Sequence, residues 1–355
     1  MSFFLAFLAF SALIVLHELG HFVAAKAVGM RVERFYLFFP PKLFAVKRGE
    51  TEYGVGAIPL GGFVRITGMN PDEELPPEVA PRGYYNQPVW KRIVVIGAGP
   101  AVNLVIAFLI LFVLALGMQQ VSSQVDQVAP GSPAAGKLMP GDRIVSVDGV
   151  AGSQEEMAEQ IASHRCAGRQ VDGCRAATAA TVEVRRDGEL KRMEITPVYD
   201  AEAERSRLGF AFGLEPANPG VGGAAGTAVD YMWFVTSKTV TTLAQIYQAD
   251  QRKELSGVAG SYEVTRQAID IGARQAFTLI ALISLSLGVI NLFPFLPLDG
   301  GHIFWSLVEK VRGRPVPFAV MERAGLVGFA LVIGLFLLGL SNDLTRLTGE
   351  GFDLR

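Results

Sequence analysis

Histidine is scarce in this chain, with four residues in 355, so a metal site built on imidazole has few candidates. Two cysteines are too few for a disulfide framework or a cysteine-rich zinc site. Charge is thin, at 19% of residues, and nearly balanced at a net −2, which gives no reason to expect nucleic acid as a partner. No basic residue precedes the first apolar run, and polar residues stand where a small-residue cleavage site would be expected. A secretory signal peptide fits that pattern poorly. What the chain has in excess is hydrocarbon: 50% of its residues are apolar and its mean hydropathy is +0.33. That is too apolar for a soluble enzyme and points to a membrane protein, long enough for two or three domains.

Four stretches reach the roughly 20 mainly apolar residues that a bilayer crossing needs. They lie at about 3–27, 93–118, 276–298 and 318–340, the last weakened at its start by Glu322 and Arg323. Lys and Arg gather between Lys26 and Arg92 and again at Lys310, Arg312 and Arg314. Cytoplasmic loops carry the basic excess, so both loops are expected in the cytoplasm, with both termini and the long middle section outside.

The expected fold class is a polytopic α-helical membrane protein with about four transmembrane helices. The first occupies 1–30, followed by a cytoplasmic-side loop with a β-hairpin in 31–92 and a second helix in 93–118. A β-rich outer domain is expected in 119–215, then a linker and amphipathic helices in 216–275. A third span in 276–303, a cytoplasmic loop in 304–317, a fourth helix in 318–341 and a tail in 342–355 complete the layout. In the outer domain, "SQVDQVA", "RIVSVDG" and "TVEVRRDGELKRMEI" alternate as strands do, between Gly-Asp, Asp-Gly and Pro-Gly turns. A helix is predicted over about 153–164, where Ser153 can cap and Glu156 follows three residues later. "EPANPGVGGAAG" reads as a linker, and 228–275 as surface-lying amphipathic helices interrupted around Gly257 and Gly260.

The chemistry is concentrated at "HELGH" in the first apolar stretch. Residues four apart share a helix face, so His17 and His21 can offer imidazole nitrogens to one metal ion. Glu18 is rotated about 100° from His17, too far round for a natural third ligand but able to reach a water on the metal. In such sites zinc lowers the pKa of its water to about 7, and a glutamate can take the proton and deliver it to the leaving amine. Catalytic zinc needs a third protein ligand, and Asp299 in "NLFPFLPLDGGH" is the other carboxylate at membrane depth. Pro294 and Pro297 break that segment, and Gly300 and Gly301 loosen the turn after it. At 1.5 Å per residue, His17 lies about 21 Å along the first span and Asp299 about 33 Å along the third, both in the cytoplasmic half. His302 is the competing third ligand, three residues nearer the interface.

His17-Glu18-x-x-His21 in a first span, with Asn291-x-x-Pro294-x-x-Pro297-x-Asp299-Gly300 in a later one, resembles the site-2 protease family of intramembrane zinc metalloproteases. The resemblance implies His17, His21 and Asp299 as zinc ligands and Glu18 as general base. It implies Asn291 and Pro294 as contacts to substrate or transition state, the Asn291 amide being able to donate to an oxyanion. Many members place the second proline two residues after the first rather than three, which alters the local turn without moving the aspartate. "YGVGAIPLGGFVRITGM" (53–69) is similar to the family's membrane-associated β-loop, whose edge near Gly61 and Gly62 would pair with an unwound substrate. An ordinary cytoplasmic hairpin is the plainer reading of the same residues. "GAGPAVN" (97–103) also matches a family motif; Asn103 stands where a dinucleotide loop needs its third glycine, and close helix packing is the expected role.

"VDQVAPGSPAAGKLMPGDRIVSVDGV" (125–150) resembles a bacterial PDZ domain of the regulator-of-sigma-E branch of that family, present here in a single copy. "RLGFAFG" (207–213) is either its carboxylate-binding loop or plain core strand. Cys166 and Cys174 fall on the oxidising side, where a disulfide could close their small loop; the sequence leaves this open. The expected protein is a zinc-dependent intramembrane endoprotease of the bacterial inner membrane, acting in regulated intramembrane proteolysis. Its partners would be the lipid bilayer and a single-pass membrane protein already cut on the outer side, such as an anti-sigma factor or a remnant signal peptide. A membrane zinc transporter and a catalytically silent PDZ scaffold are the alternatives. Glu18 argues against both, because neither needs a general base beside the histidines.

Overall fold

The computed structural model describes residues 1–70, 72–248, 252 and 257–349; parts of the expected 216–275 region and of the 342–355 tail lie outside these. The chain divides into two compact units, Met1–Ala115 with Val221–Arg355, and Leu116–Gly220.

The first unit is helical. Four helices are long and apolar enough to cross a membrane: α1 (Ser2–Ala27), α2 (Val89–Leu116), α6 (Ala273–Asn291) and, within α8 (Phe318–Thr348), Ala319–Arg346. Their outer faces leave Phe3, Phe4, Val105, Val113, Leu326 and Leu337 exposed, as a helix facing lipid requires and a helix facing water does not tolerate. The described residues of this unit also form the helices α4 (Gly220–Ala244), α5 (Val258–Ile271) and α7 (Asp299–Arg312).

Between α1 and α2 lie two long antiparallel strands, β1 (Val32–Arg48) and β2 (Thr51–Ile66), each bent back on itself. Tyr36 lies opposite both Gly54 and Phe63, so the first half of β1 is paired along both edges. This small sheet packs on α1 and α2 through Met30, Val32, Ile66, Tyr84 and Val95.

The break expected at Pro294 and Pro297 in the third apolar segment is present: α6 stops at Asn291, residues 292–298 are irregular, and α7 starts afresh at Asp299. Pro294 and Pro297 supply no N–H and restrict the residues before them, which ends the helix early. A constant rise from 276 to Asp299 therefore does not apply, and Gly300 and Gly301 belong to the first turn of α7 rather than to a loose turn. The glycine-rich stretch from Gly220 to Gly226, read as linker, is the first part of α4. Ala228 packs there against Leu111 and Ala281, and that close contact offsets the roughly 1 kcal/mol that each glycine costs a helix. Gly257 caps α5, but Gly260 lies inside its first turn, where both backbone N–H groups donate to the Asp343 carboxylate of α8 at 3.0 and 2.7 Å.

The second unit is a five-stranded antiparallel sheet in the order β6-β5-β4-β3-β9, where β3 is Gln119–Val128, β4 Arg143–Val147, β5 Ala180–Arg186, β6 Glu189–Ile195 and β9 Phe210–Pro216. A two-stranded ribbon of β7 (Val198–Asp200) and β8 (Arg205–Arg207) stands beside it. The helix α3 (Gln154–Ser163) closes the core with Met157 and Ile161 over Val125, Val147, Val182 and Leu208. Ser153 and Glu156 cap α3 reciprocally, so two otherwise unpaired N–H groups are satisfied at its start. Cys166 and Cys174 are joined by a disulfide.

The Gly-Asp turn before β4 has a structural use. Asp142 is buried, accepts from the Met139 amide at 2.8 Å, and receives both arms of Arg186 at 2.6 and 2.7 Å. The Arg186 guanidinium holds the Asp142 carboxyl below the usual carboxylate range, against the opposing effect of burial and with the Met139 amide adding to the shift. A depressed carboxylate stabilises the fold above its unfolded pKa of about 3.9 and loses that contribution as pH falls through the folded value. Asp142→Asn should therefore lower protection of the β4 and β5 amides from hydrogen exchange at pH 7 by about 2–3 kcal/mol and flatten the acid-side loss seen in the wild type. Unchanged protection at pH 7 would assign the clamp no stabilising role.

Candidate metal centre

Two elements converge on one point at the level of α1. His17 and His21, one helical turn apart and both 7% exposed, turn their rings to the same side of α1. From the break after α6 comes Asp299, the first residue of α7, where the helix dipole favours a carboxylate. The two Nε2 atoms lie 3.2 Å apart, and each is 3.3 Å from Asp299 Oδ2. Tetrahedral zinc with bonds of about 2.0–2.1 Å separates its ligand atoms by about 3.3–3.4 Å, so the triangle already has the right size. Asp299 Oδ2 is buried and accepts no hydrogen bond of good geometry, an orphan that a cation would satisfy. Among the described residues, His17, His21 and Asp299 form a group able to hold a metal ion, and His302 does not join it.

The helix α2 backs this group. His21 Nδ1 donates to the Val95 carbonyl at 2.9 Å, which leaves the Nε2 lone pair facing the centre. On the same face, a Cβ on Gly99 would come within 2.3 Å of His21 Nε2 and 2.9 Å of His17 Nε2. Asn103, fully buried, reaches His17 Nδ1 with Nδ2 at 3.2 Å. Val95, Gly99 and Asn103 are spaced by four on α2, as His17 and His21 are on α1, and the two helices run antiparallel at this contact. Sequence reasoning gave Gly99 and Asn103 only a packing role and passed over Val95. The available signal was a glycine and an asparagine four apart within an otherwise apolar span.

Glu18 stands apart from the three, beside the sheet. The Val64 backbone amide is its neighbour there, and a Cβ on Gly62 would come within 2.8 Å of its Cγ. Gly61 packs instead on the Phe39 ring, so the two glycines expected to act together meet different partners. The Asn291 carboxamide donates to the Leu287 carbonyl at 3.0 Å, one turn back on its own helix, rather than to the metal group. Pro294 lines an apolar cleft of about 670 Å³ between α2, α4 and α6, with Leu104, Phe108, Trp233 and Phe293 among its walls.

A family model for peptidase family M50 matches residues 5–335. The chain belongs to peptidase family M50. Its curated relatives include zinc metalloprotease Rip1 of Mycobacterium tuberculosis, 32% identical with 94% of each chain covered. Zinc metalloprotease Rip1 of Mycolicibacterium smegmatis is 30% identical, with 96% of each chain covered. As an M50 peptidase the chain is a metalloprotease, and zinc is its cofactor. Its four apolar helices make it a multi-pass membrane protein.

The M50 fold also braces the helix that carries Asp299. Arg92 of α2, 2% exposed, makes a bidentate pair with Glu309 of α7 at 2.6 and 2.9 Å, and its guanidinium lies over Tyr85 at 5.4 Å. This part-buried, bidentate pair ties α7 to α2 at the end away from Asp299.

Proposed function

We propose that this M50 peptidase is an intramembrane endoprotease that hydrolyses a peptide bond within or beside the membrane helix of a single-pass protein. The observation that carries the reading is that Glu18, His17 and His21 lie on α1, a helix long and apolar enough to cross a membrane, with Asp299 completing the metal-binding group beside them. His17, His21 and Asp299 hold the ion, which supplies Lewis-acid polarisation of water and the scissile carbonyl. Glu18 takes a proton from the attacking water and returns it to the leaving amide nitrogen. Strand addition at Gly61–Gly62 brings an unwound substrate next to Glu18, since Gly62 already touches that side chain. Asn291 turns from the Leu287 carbonyl to donate to the oxyanion, and the cleft beside Pro294 takes apolar side chains of the substrate.

The outer unit acts as a PDZ domain that docks or sizes a substrate already trimmed outside. Support comes from a groove of about 680 Å³ between α3 and β9, lined by Ala158, Ile161, Leu208, Gly209, Phe210 and Phe212. β9 is an edge strand, free to accept another strand there. On this reading "RLGF" is the carboxylate-binding loop, and the protein sits in the bacterial inner membrane with its termini and outer unit extracytoplasmic. Substrates would include anti-sigma factors or remnant signal peptides in regulated intramembrane proteolysis.

The test uses the full-length protein with zinc in liposomes. Two single-span substrates are supplied, one with a short outer stub and one with a folded outer domain, and products are mapped by mass spectrometry. Cleavage within the span of the stub substrate is expected, at least tenfold faster than for the capped one. Cuts confined to extramembrane segments would sink the reading.

A further inference from the structure

Asn103 contacts His17 through its amide nitrogen and leaves its amide oxygen without a partner. The amide Nδ2 faces His17 Nδ1 at 3.2 Å, while the amide Oδ1, also buried, has no hydrogen-bond partner. A neutral imidazole carries one donor and one acceptor nitrogen. With Nε2 turned to His21 and Asp299, a metal-binding His17 keeps its lone pair on Nε2 and its hydrogen on Nδ1. That Nδ1–H needs an acceptor, and an amide N–H₂ offers none. The two orientations of a carboxamide have the same shape and differ only in which atom meets which neighbour. Exchanging Oδ1 and Nδ2 of Asn103 pairs the orphaned oxygen with the Nδ1–H and satisfies both groups at once.

Asn103 is held for this purpose from the other side. Its backbone carbonyl accepts from the Ser284 hydroxyl at 2.9 Å, and Ser284 on α6 is fully buried. A Cβ on Gly288 of α6 would lie 3.3 Å from the Asn103 Cβ, so the residue is clamped between helices with little room to turn away. His21 already follows the same logic through the Val95 carbonyl.

We propose that Asn103 is a positioning residue: its carboxamide oxygen accepts from His17 Nδ1–H, fixes that tautomer and aims Nε2 at the metal. Each metal-facing histidine then has its outward nitrogen bound by α2, one by backbone and one by side chain. The inference rests on His17 being a ligand. Loss of such an outer hydrogen bond typically weakens metal affinity by about 10–100-fold.

The experiment measures zinc affinity by chelator competition on the purified full-length protein, with Asp299→Ala as the control for the ligand assignment. Asn103→Leu, similar in size without an acceptor, should bind zinc about 10–100-fold more weakly, whereas Asn103→Asp should bind within about threefold of wild type. Equal affinity in Asn103→Leu overturns the proposal when Asp299→Ala has lost zinc; retained zinc in Asp299→Ala fails the ligand assignment instead. Nitrogen-15 spectra of histidine-labelled wild type give a second reading, legible because the chain has four histidines. In the zinc-loaded protein a His17 Nδ1–H protected from solvent exchange by its bond to Asn103 is expected, and an unprotected Nδ1–H, or Nδ1 rather than Nε2 on the metal, would overturn the proposal even if Asn103→Leu fails to fold.

Discussion

Gly99→Ala is expected to leave α2 helical and to abolish zinc binding. On helix propensity alone the change should stabilise α2 by up to about 1 kcal/mol, since alanine is the better helix former. Against that gain stands a methyl group 2.3 Å from His21 Nε2, 2.6 Å from its Cε1 and 2.9 Å from His17 Nε2. The obstacles are ring atoms held at both ends, not flexible tips. α2 cannot easily retreat from α1 either, because Gly288 of α6 meets the Pro100 carbonyl so closely that its own Cβ would lie 3.1 Å away. The rings must therefore turn, and His21 gives up its bond to Val95 as the triangle opens. Zinc–nitrogen bonds of about 2.0–2.1 Å tolerate little of this, so a zinc affinity at least 100-fold weaker is expected. The check is metal content together with melting temperature across a zinc titration. Wild type should gain about 4 kcal/mol at zinc concentrations 1,000 times its Kd, and the variant no more than about 1.4 kcal/mol. A wild-type zinc affinity in Gly99→Ala would show that the site lies elsewhere.

Glu18→Gln should separate binding from turnover. The substitution keeps the size of the side chain and its neighbours Gly62 and Val64, and removes only the ability to take a proton. Because Glu18 is not one of the three atoms that form the metal triangle, zinc content and zinc-dependent stability should stay at wild-type levels. Proteolysis should fall by about 10²–10⁴-fold, the usual scale of general acid–base catalysis. Turnover within tenfold of wild type would remove Glu18 from that role, and lost zinc would make it a ligand.

The sequence made the two histidines legible because four-residue spacing is a property of any helix and needs no tertiary information. Asp299 was legible as a carboxylate at membrane depth beside two prolines that break the segment, and the helix before it does stop, at Asn291. Val95 and Asn103 were not legible as partners of the histidines. Their part depends on which face of α2 meets α1 and in what register, and no local pattern encodes that. The same limit explains Gly220–Gly226, where packing of Ala228 overrides glycine's poor helix propensity. In the second unit the reverse held: Ser153 and Glu156 announce a capped helix through contacts three residues apart, and the structure forms that cap.

The close approach of Gly99 also bears on inhibitor design. One side of the histidine pair is sealed by helix backbone, with no room even for a methyl group. A chelating warhead cannot approach past α2 and must arrive where Glu18 and Gly62 stand. Compounds shaped as extended peptides, with the chelator placed beside the backbone rather than at the tip of a bulky ring, suit that narrow approach.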